Sequence, residues 1–211
     1  MIMRKPRRLI GLAALVAATI SCGDVVRSGS SPVYLVIETM LGIRGAVTPG
    51  TPSASLASDV ITNVTSPPPC TPATPCPTIF SDSGTVTLRA PLRNLGGGVA
   101  PTGPTTNNEV TITRYHVDYI RADGRNTPGV DVPYSFDGAT TGTVPANGIL
   151  NLSFMLVRNA AKEESPLVQL VSSANLISVI GRVTFYGQDR VGNNVNVTGE
   201  IFITFGNFGD F

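Results

Sequence analysis

Two segments near the C-terminus alternate apolar and polar residues with a period of two. Ile177, Val179, Val183 and Phe185 alternate with Arg182, Thr184 and Tyr186; Val197, Ile201, Ile203 and Phe205 share one face of the next segment. Side chains of a strand point to opposite faces in turn, so each segment presents one apolar face to a core. Between them lies Asp189-Arg190-Val191-Gly192-Asn193-Asn194, whose residue types favour a turn. The pair therefore reads as a hairpin. Inward residues must sit opposite inward residues, because a slip of one turns the whole set out. That parity allows Val183 opposite Ile201 and forbids Val183 opposite Glu200. It also places Thr184 by Glu200 and Arg182 by Phe202 on the outward face.

The same period recurs upstream. Val33, Leu35, Ile37, Leu41 and Ile43 are expected on one face, with Tyr34, Glu38 and Met40 on the other. Ser58 to Thr65 reads as a further strand. Val86, Leu88, Ala90 and Leu92 form an inward set, as do Tyr115, Val117 and Tyr119, and then Leu150, Leu152, Phe154 and Leu156. Val130 to Phe136 is expected as a short edge strand because Pro133 interrupts it. Ser165-Pro166 predicts one helical turn from Pro166 to about Val171. Glu163 and Glu164 are expected at a helix start, where acids complement the dipole. Seven or eight antiparallel strands with this one short helical turn make an all-β chain, read as a β-sandwich.

The first 21 residues have a different character. Arg4, Lys5, Arg7 and Arg8 precede the apolar or small run Leu9 to Ile20, as in a secretory signal peptide. Twelve such residues do not span a hydrocarbon core, which needs about 20. Downstream of that segment eleven basic side chains face fourteen acidic ones, a net charge of −3. This leaves nucleic-acid binding no electrostatic footing. Three cysteines are present. Cys70 and Cys76 flank Thr-Pro-Ala-Thr-Pro inside a Pro-rich stretch, residues 66–78, and read as a local disulfide in an oxidising compartment. Without a histidine or third thiol nearby, a metal site is the weaker reading.

The basic start, the apolar run and Ser21-Cys22-Gly23 resemble the export signal of bacterial lipoproteins. That resemblance implies cleavage after residue 21 and acyl chains on Cys22. It also implies a tether over residues 22–32 and a folded domain over 33–211. Gly23, where an Asp favours inner-membrane retention in enteric bacteria, implies the outer membrane. The order of strands over roughly 33–206 resembles bacterial immunoglobulin-like domains; the buried Trp of antibody domains is absent.

The chemistry-bearing residues form no constellation. His116 lies between Arg114 and Asp118 on a polar strand face, which reads as a cross-strand ladder. No nucleophile elbow, haem-attachment or phosphate-binding glycine motif occurs, so no catalytic residue and no cofactor are expected. Asp123, Asn126, Asp189, Asn193 and Asn194 offer hard oxygens, but their spacing fits no calcium loop. No metal is therefore assigned. The expected function is a non-enzymatic interaction or structural module, anchored in membrane lipid and meeting an envelope protein partner. Its expected interaction surface contains Arg182, Tyr186 and Phe202. The alternative is a carbohydrate or surface-ligand module using Tyr134, Phe136 and Tyr186.

Overall fold

The structure, a computed structural model, describes residues 31–93 and 103–209. The expected signal peptide and Cys22 lie outside them. The described chain is all-β. Its ten strands are β1 (Val36–Ile43), β2 (Ser55–Asp59), β3 (Thr62–Val64), β4 (Cys76–Thr78), β5 (Asp82–Arg89), β6 (Val110–Ile120), β7 (Phe136–Val144), β8 (Ile149–Val157), β9 (Ile177–Asp189) and β10 (Asn194–Gly206). A curled three-stranded sheet has the order β1-β5-β8. A five-stranded sheet has the order β2-β10-β9-β6-β7. β3 and β4 form a small hairpin apart from both.

The two larger sheets share one core. Phe154 of β8 meets Phe185 of β9 edge-on, with ring centroids 5.2 Å apart, and Tyr115 of β6 lies 5.5 Å from Phe154. Such aromatic contacts add to the burial of the rings. Gly84 of β5 makes this possible, because a Cβ there would fall 2.4 Å from Cζ of Phe154. The Tyr115 hydroxyl accepts the Met155 N–H at 3.0 Å, so its polar end is satisfied.

The closing hairpin has the expected parity and a different register. Glu200 stands opposite Arg182, Thr198 opposite Thr184, Gly199 opposite Val183 and Phe202 opposite Ile180. The expected pairing of Val183 with Ile201 is thus off by two residues. The turn sets the difference. Asp189 still pairs with Asn193, so the loop is only Arg190-Val191-Gly192. Gly192 closes it at φ 91°, a conformation that favours glycine.

Other departures have local causes. A bulge between Ile37 and Thr39 reverses the faces of β1, so Met40 packs on the core in place of Leu41 and Ile43. The expected strand from Val130 is loop up to Ser135, and β7 takes the sheet edge instead. Large alternating residues do not announce β7, because its inner face holds Gly138 and Gly142, filled by Tyr115 and by Leu150 and Leu152. β2 runs parallel to β10, so the strands are not all antiparallel. The crossover from β8 to β9 carries a short helix, α1 (Asn159–Glu163), and then a single 3-10 turn, Leu167–Leu170. Another 3-10 turn spans Thr106–Asn108. Helix thus exceeds the one turn expected, and Glu163 ends α1 instead of starting it.

The hairpin makes a direct stability prediction. Phe185 is fully buried, whereas Glu200 faces solvent beside Arg182. In chemical denaturation Phe185→Ala should lose about 3–5 kcal/mol, and Glu200→Ala well under about 1 kcal/mol. Equal losses would contradict the assignment of faces.

Candidate functional site

The outer face of the five-stranded sheet holds the three residues expected to form an interaction surface. Arg182 and Tyr186 come from β9 and Phe202 from β10. At about 3.3 Å per residue, Tyr186 and the Ile180–Phe202 pair lie roughly 20 Å apart. The three form a strip along the sheet and not a pocket.

Neighbouring strands set each side chain. The Arg182 guanidinium reaches Glu200 at 3.0 Å, and Asp118 stands opposite Arg182 on the neighbouring β6. Thr184 and Thr198 share a hydrogen bond of 2.9 Å. The Arg114 guanidinium lies 3.8 Å over the Tyr186 ring, so Tyr186 is half covered. His116 joins this ladder. Its Nδ1 lies 3.1 Å from Asp137 and its Nε2 3.1 Å from Asp118. Asp137 also meets Arg114 at 3.3 Å. His116 is therefore flanked by carboxylates from its own strand and from β7, the cross-strand arrangement expected of it. Phe202 is the exception on this polar face, 50 % exposed beside Ile180 and Ser55.

The aromatics of the alternative reading do not gather. Tyr134 is exposed in the loop before β7. Phe136 is buried against Tyr115, with Arg158 4.2 Å over its ring. Tyr186 lies on the outer face of the sheet under Arg114. A cleft of about 400 Å³ does exist elsewhere, between the loop after β1 and β3. Arg44, Val47, Thr48, Asn63 and Thr65 line it, with no aromatic ring among its walls.

The Asp and Asn loops serve local structure. Asp123 pairs with Arg121 and Arg125 at 2.6 and 3.0 Å, and Arg121 holds its carboxyl well below the usual range. Asn126 accepts the Arg121 N–H at 2.6 Å. Asp189 accepts the N–H groups of Val191 and Asn193 at 3.0 and 2.8 Å and the Asn193 amide at 2.8 Å. Cys70, in the chain between β3 and β4, and Cys76, the first residue of β4, form the expected disulfide. Closing so small a loop contributes about 2 kcal/mol in the chain-entropy account.

Sequence reasoning missed a buried polar cluster at the end of the core where α1 lies. Lys162 of α1 and Asp82 of β5 are both fully buried, with Nζ 2.8 Å from Oδ2. Lys162 also donates to the Asp59 carbonyl at 2.8 Å. Asp82 accepts the Ser58 hydroxyl at 2.6 Å on Oδ2 and the Gly45 N–H at 2.8 Å on Oδ1. The inward alternation of Val86 and Leu88, extended backward by four residues, reaches Asp82 and was the available signal.

Asp189 carries a pH prediction. Burial raises its pKa, but the hydrogen bonds from Asn193, Ser31 and Val191 outweigh burial and leave it lowered. A lowered folded pKa adds stability above the unfolded value of about 3.9, lost as pH falls through the folded value. Asp189→Ala should cost about 1–3 kcal/mol at neutral pH. The gap from the parent chain should narrow below about pH 4 in thermal melts. A gap that holds constant into acid would remove the charge from this role. In comparisons with known proteins, the chain matches no family model and no curated protein.

Proposed function

We propose that this chain is a lipid-anchored bacterial envelope protein whose β-domain works by contact with another envelope protein and not by catalysis. The observation that carries the reading is the ordered series Arg4–Arg8, Leu9–Ile20 and Ser21-Cys22-Gly23. Two acyl chains on Cys22 would hold the chain stably, since each buried methylene contributes about 0.8 kcal/mol. Gly23 supports an outer-membrane address. Among the described residues no helix is long and apolar enough to cross a membrane.

The domain fits an immunoglobulin-like reading. The orders β1-β5-β8 and β10-β9-β6-β7 match the A-B-E and G-F-C-C′ strands of that class, with β2 added beside β10. Tyr115, on the strand that corresponds to C, lies among Phe136, Phe154 and Phe185, where antibody domains place Trp. Folds of this class host many activities, so the role rests on the surface. The strip of Arg182, Tyr186 and Phe202 supports a protein partner over a small ligand. It is extended, its charges alternate in sign, and its exposed ring lies on a sheet face.

Two measurements test this reading. Intact mass of membrane-extracted protein should show residue 22 as the first, with acyl chains on it, and Cys22→Ser should leave the membrane fraction. An unmodified Cys22 or a retained residue 1–21 segment overturns the anchor. Phe202→Ala should change stability by less than about 0.5 kcal/mol and weaken capture of the partner from envelope extracts. Undiminished capture removes Phe202 from the contact surface.

A further inference from the structure

The contact between Lys162 and Asp82 plays no part in the proposed surface. Lys162 is the single lysine after Lys5 in this sequence. Its Nζ and the Asp82 carboxyl lie 2.8 Å apart, both fully buried. Transfer of one proton from Nζ to the carboxylate along this contact leaves an amine beside a carboxylic acid. The amine nitrogen then stands at hydrogen-bond distance from the carboxylic acid in a site closed to solvent, which replaces a bimolecular encounter with fixed proximity.

We infer that Lys162 and Asp82 are joined by a side-chain amide that the folded protein forms on itself. The Nζ lone pair attacks Cγ of Asp82, and the carbonyl electrons move to Oδ1. The Gly45 N–H, 2.8 Å away, donates to that oxygen as its charge develops. A proton then leaves Nζ for Oδ2, its neighbour at 2.8 Å, where the Ser58 hydroxyl also donates at 2.6 Å. The carbonyl re-forms at Oδ1, the Cγ–Oδ2 bond breaks, and Oδ2 departs as water. Nothing is oxidised or reduced, and no co-reactant enters. The amide keeps one N–H, and the Asp59 carbonyl already accepts from Nζ at 2.8 Å. The product exchanges two buried charges for a neutral, hydrogen-bonded group.

Tryptic peptide mapping of the full-length protein extracted from membranes, after disulfide reduction, tests this. Trypsin does not cut after an acylated lysine. The expected product is a branched peptide joining residues 45–89 to residues 159–182, lighter than their sum by one water. Lys162→Arg keeps the positive charge but should restore cleavage at 162 and the full mass of 45–89. Cleavage after Lys162 with a linear, full-mass 45–89 peptide overturns the proposal. A 45–89 peptide lacking one water, found with Lys162 cleaved, marks a succinimide at Asp82-Ser83 and also overturns it.

Discussion

A charged side chain in a dry core must be matched, and the Asp82–Lys162 contact is where this domain meets that constraint. Burying an unpaired carboxylate or ammonium is costly, and removing one partner of a buried pair costs about 3–5 kcal/mol. Here four segments converge on the match. β5 supplies Asp82, α1 supplies Lys162, the end of β2 supplies Ser58 and the Asp59 carbonyl, and the loop after β1 supplies the Gly45 N–H. Two of these segments lie at places where the chain passes from the three-stranded sheet to the five-stranded one. β1 belongs to the three-stranded sheet and β2 to the five-stranded one, while α1 lies on the crossover from β8 to β9. Matching Asp82 therefore also ties down these two crossings. A pair of apolar residues could fill the same volume, but it would not specify which loop meets which strand.

Period-two alternation made the core readable, and its failures have one physical origin. It identifies a face but not a partner residue. Val183, Phe185, Ile201 and Ile203 are buried as their alternation requires, yet the register between β9 and β10 depends on the turn. Asp189 gathers the N–H groups of Val191 and Asn193 and tightens the loop to three residues, a choice that strand parity does not contain. The bulge in β1 exchanges Leu41 for Met40 because one extra residue shifts every later side chain. β7 escaped notice for the opposite reason, since large side chains from its neighbours fill the space over Gly138 and Gly142.

The candidate surface was legible for the same reason as the core, because outward residues are the complement of inward ones. Arg182, Tyr186 and Phe202 lie on the outer sheet face where the alternation put them. Their neighbours were not legible. The register brings Glu200 to Arg182 and leaves Phe202 beside Ile180, so the exposed ring belongs to a small apolar spot. Lys162 was hidden by a general expectation that lysines face water. Its scarcity was the better guide: a chain that after Lys5 keeps a single lysine, beside Ala160 and Ala161, uses it for contact and not for solubility.

The direction of the strands decides how an anchored domain would stand. β1, β6, β8 and β10 begin at one end, together with the turns at 145–148 and 190–192, and Ser31 bonds to Asp189 there. The loop after β1, the disulfide segment, α1 and the 121–135 loop gather at the other end. Nine residues from Cys22 to Ser31 reach at most about 30 Å. β9, with 13 residues, is about 40 Å long. Under the lipid-anchor reading the tether is too short to stand the domain upright on its far end, because the chain start would then lie beyond its reach. On that reading the short turns would face the membrane, and the long loops would face away from it or lie to the side. The strip of Arg182, Tyr186 and Phe202 runs along the axis between the two ends, where a partner can reach it without displacing lipid.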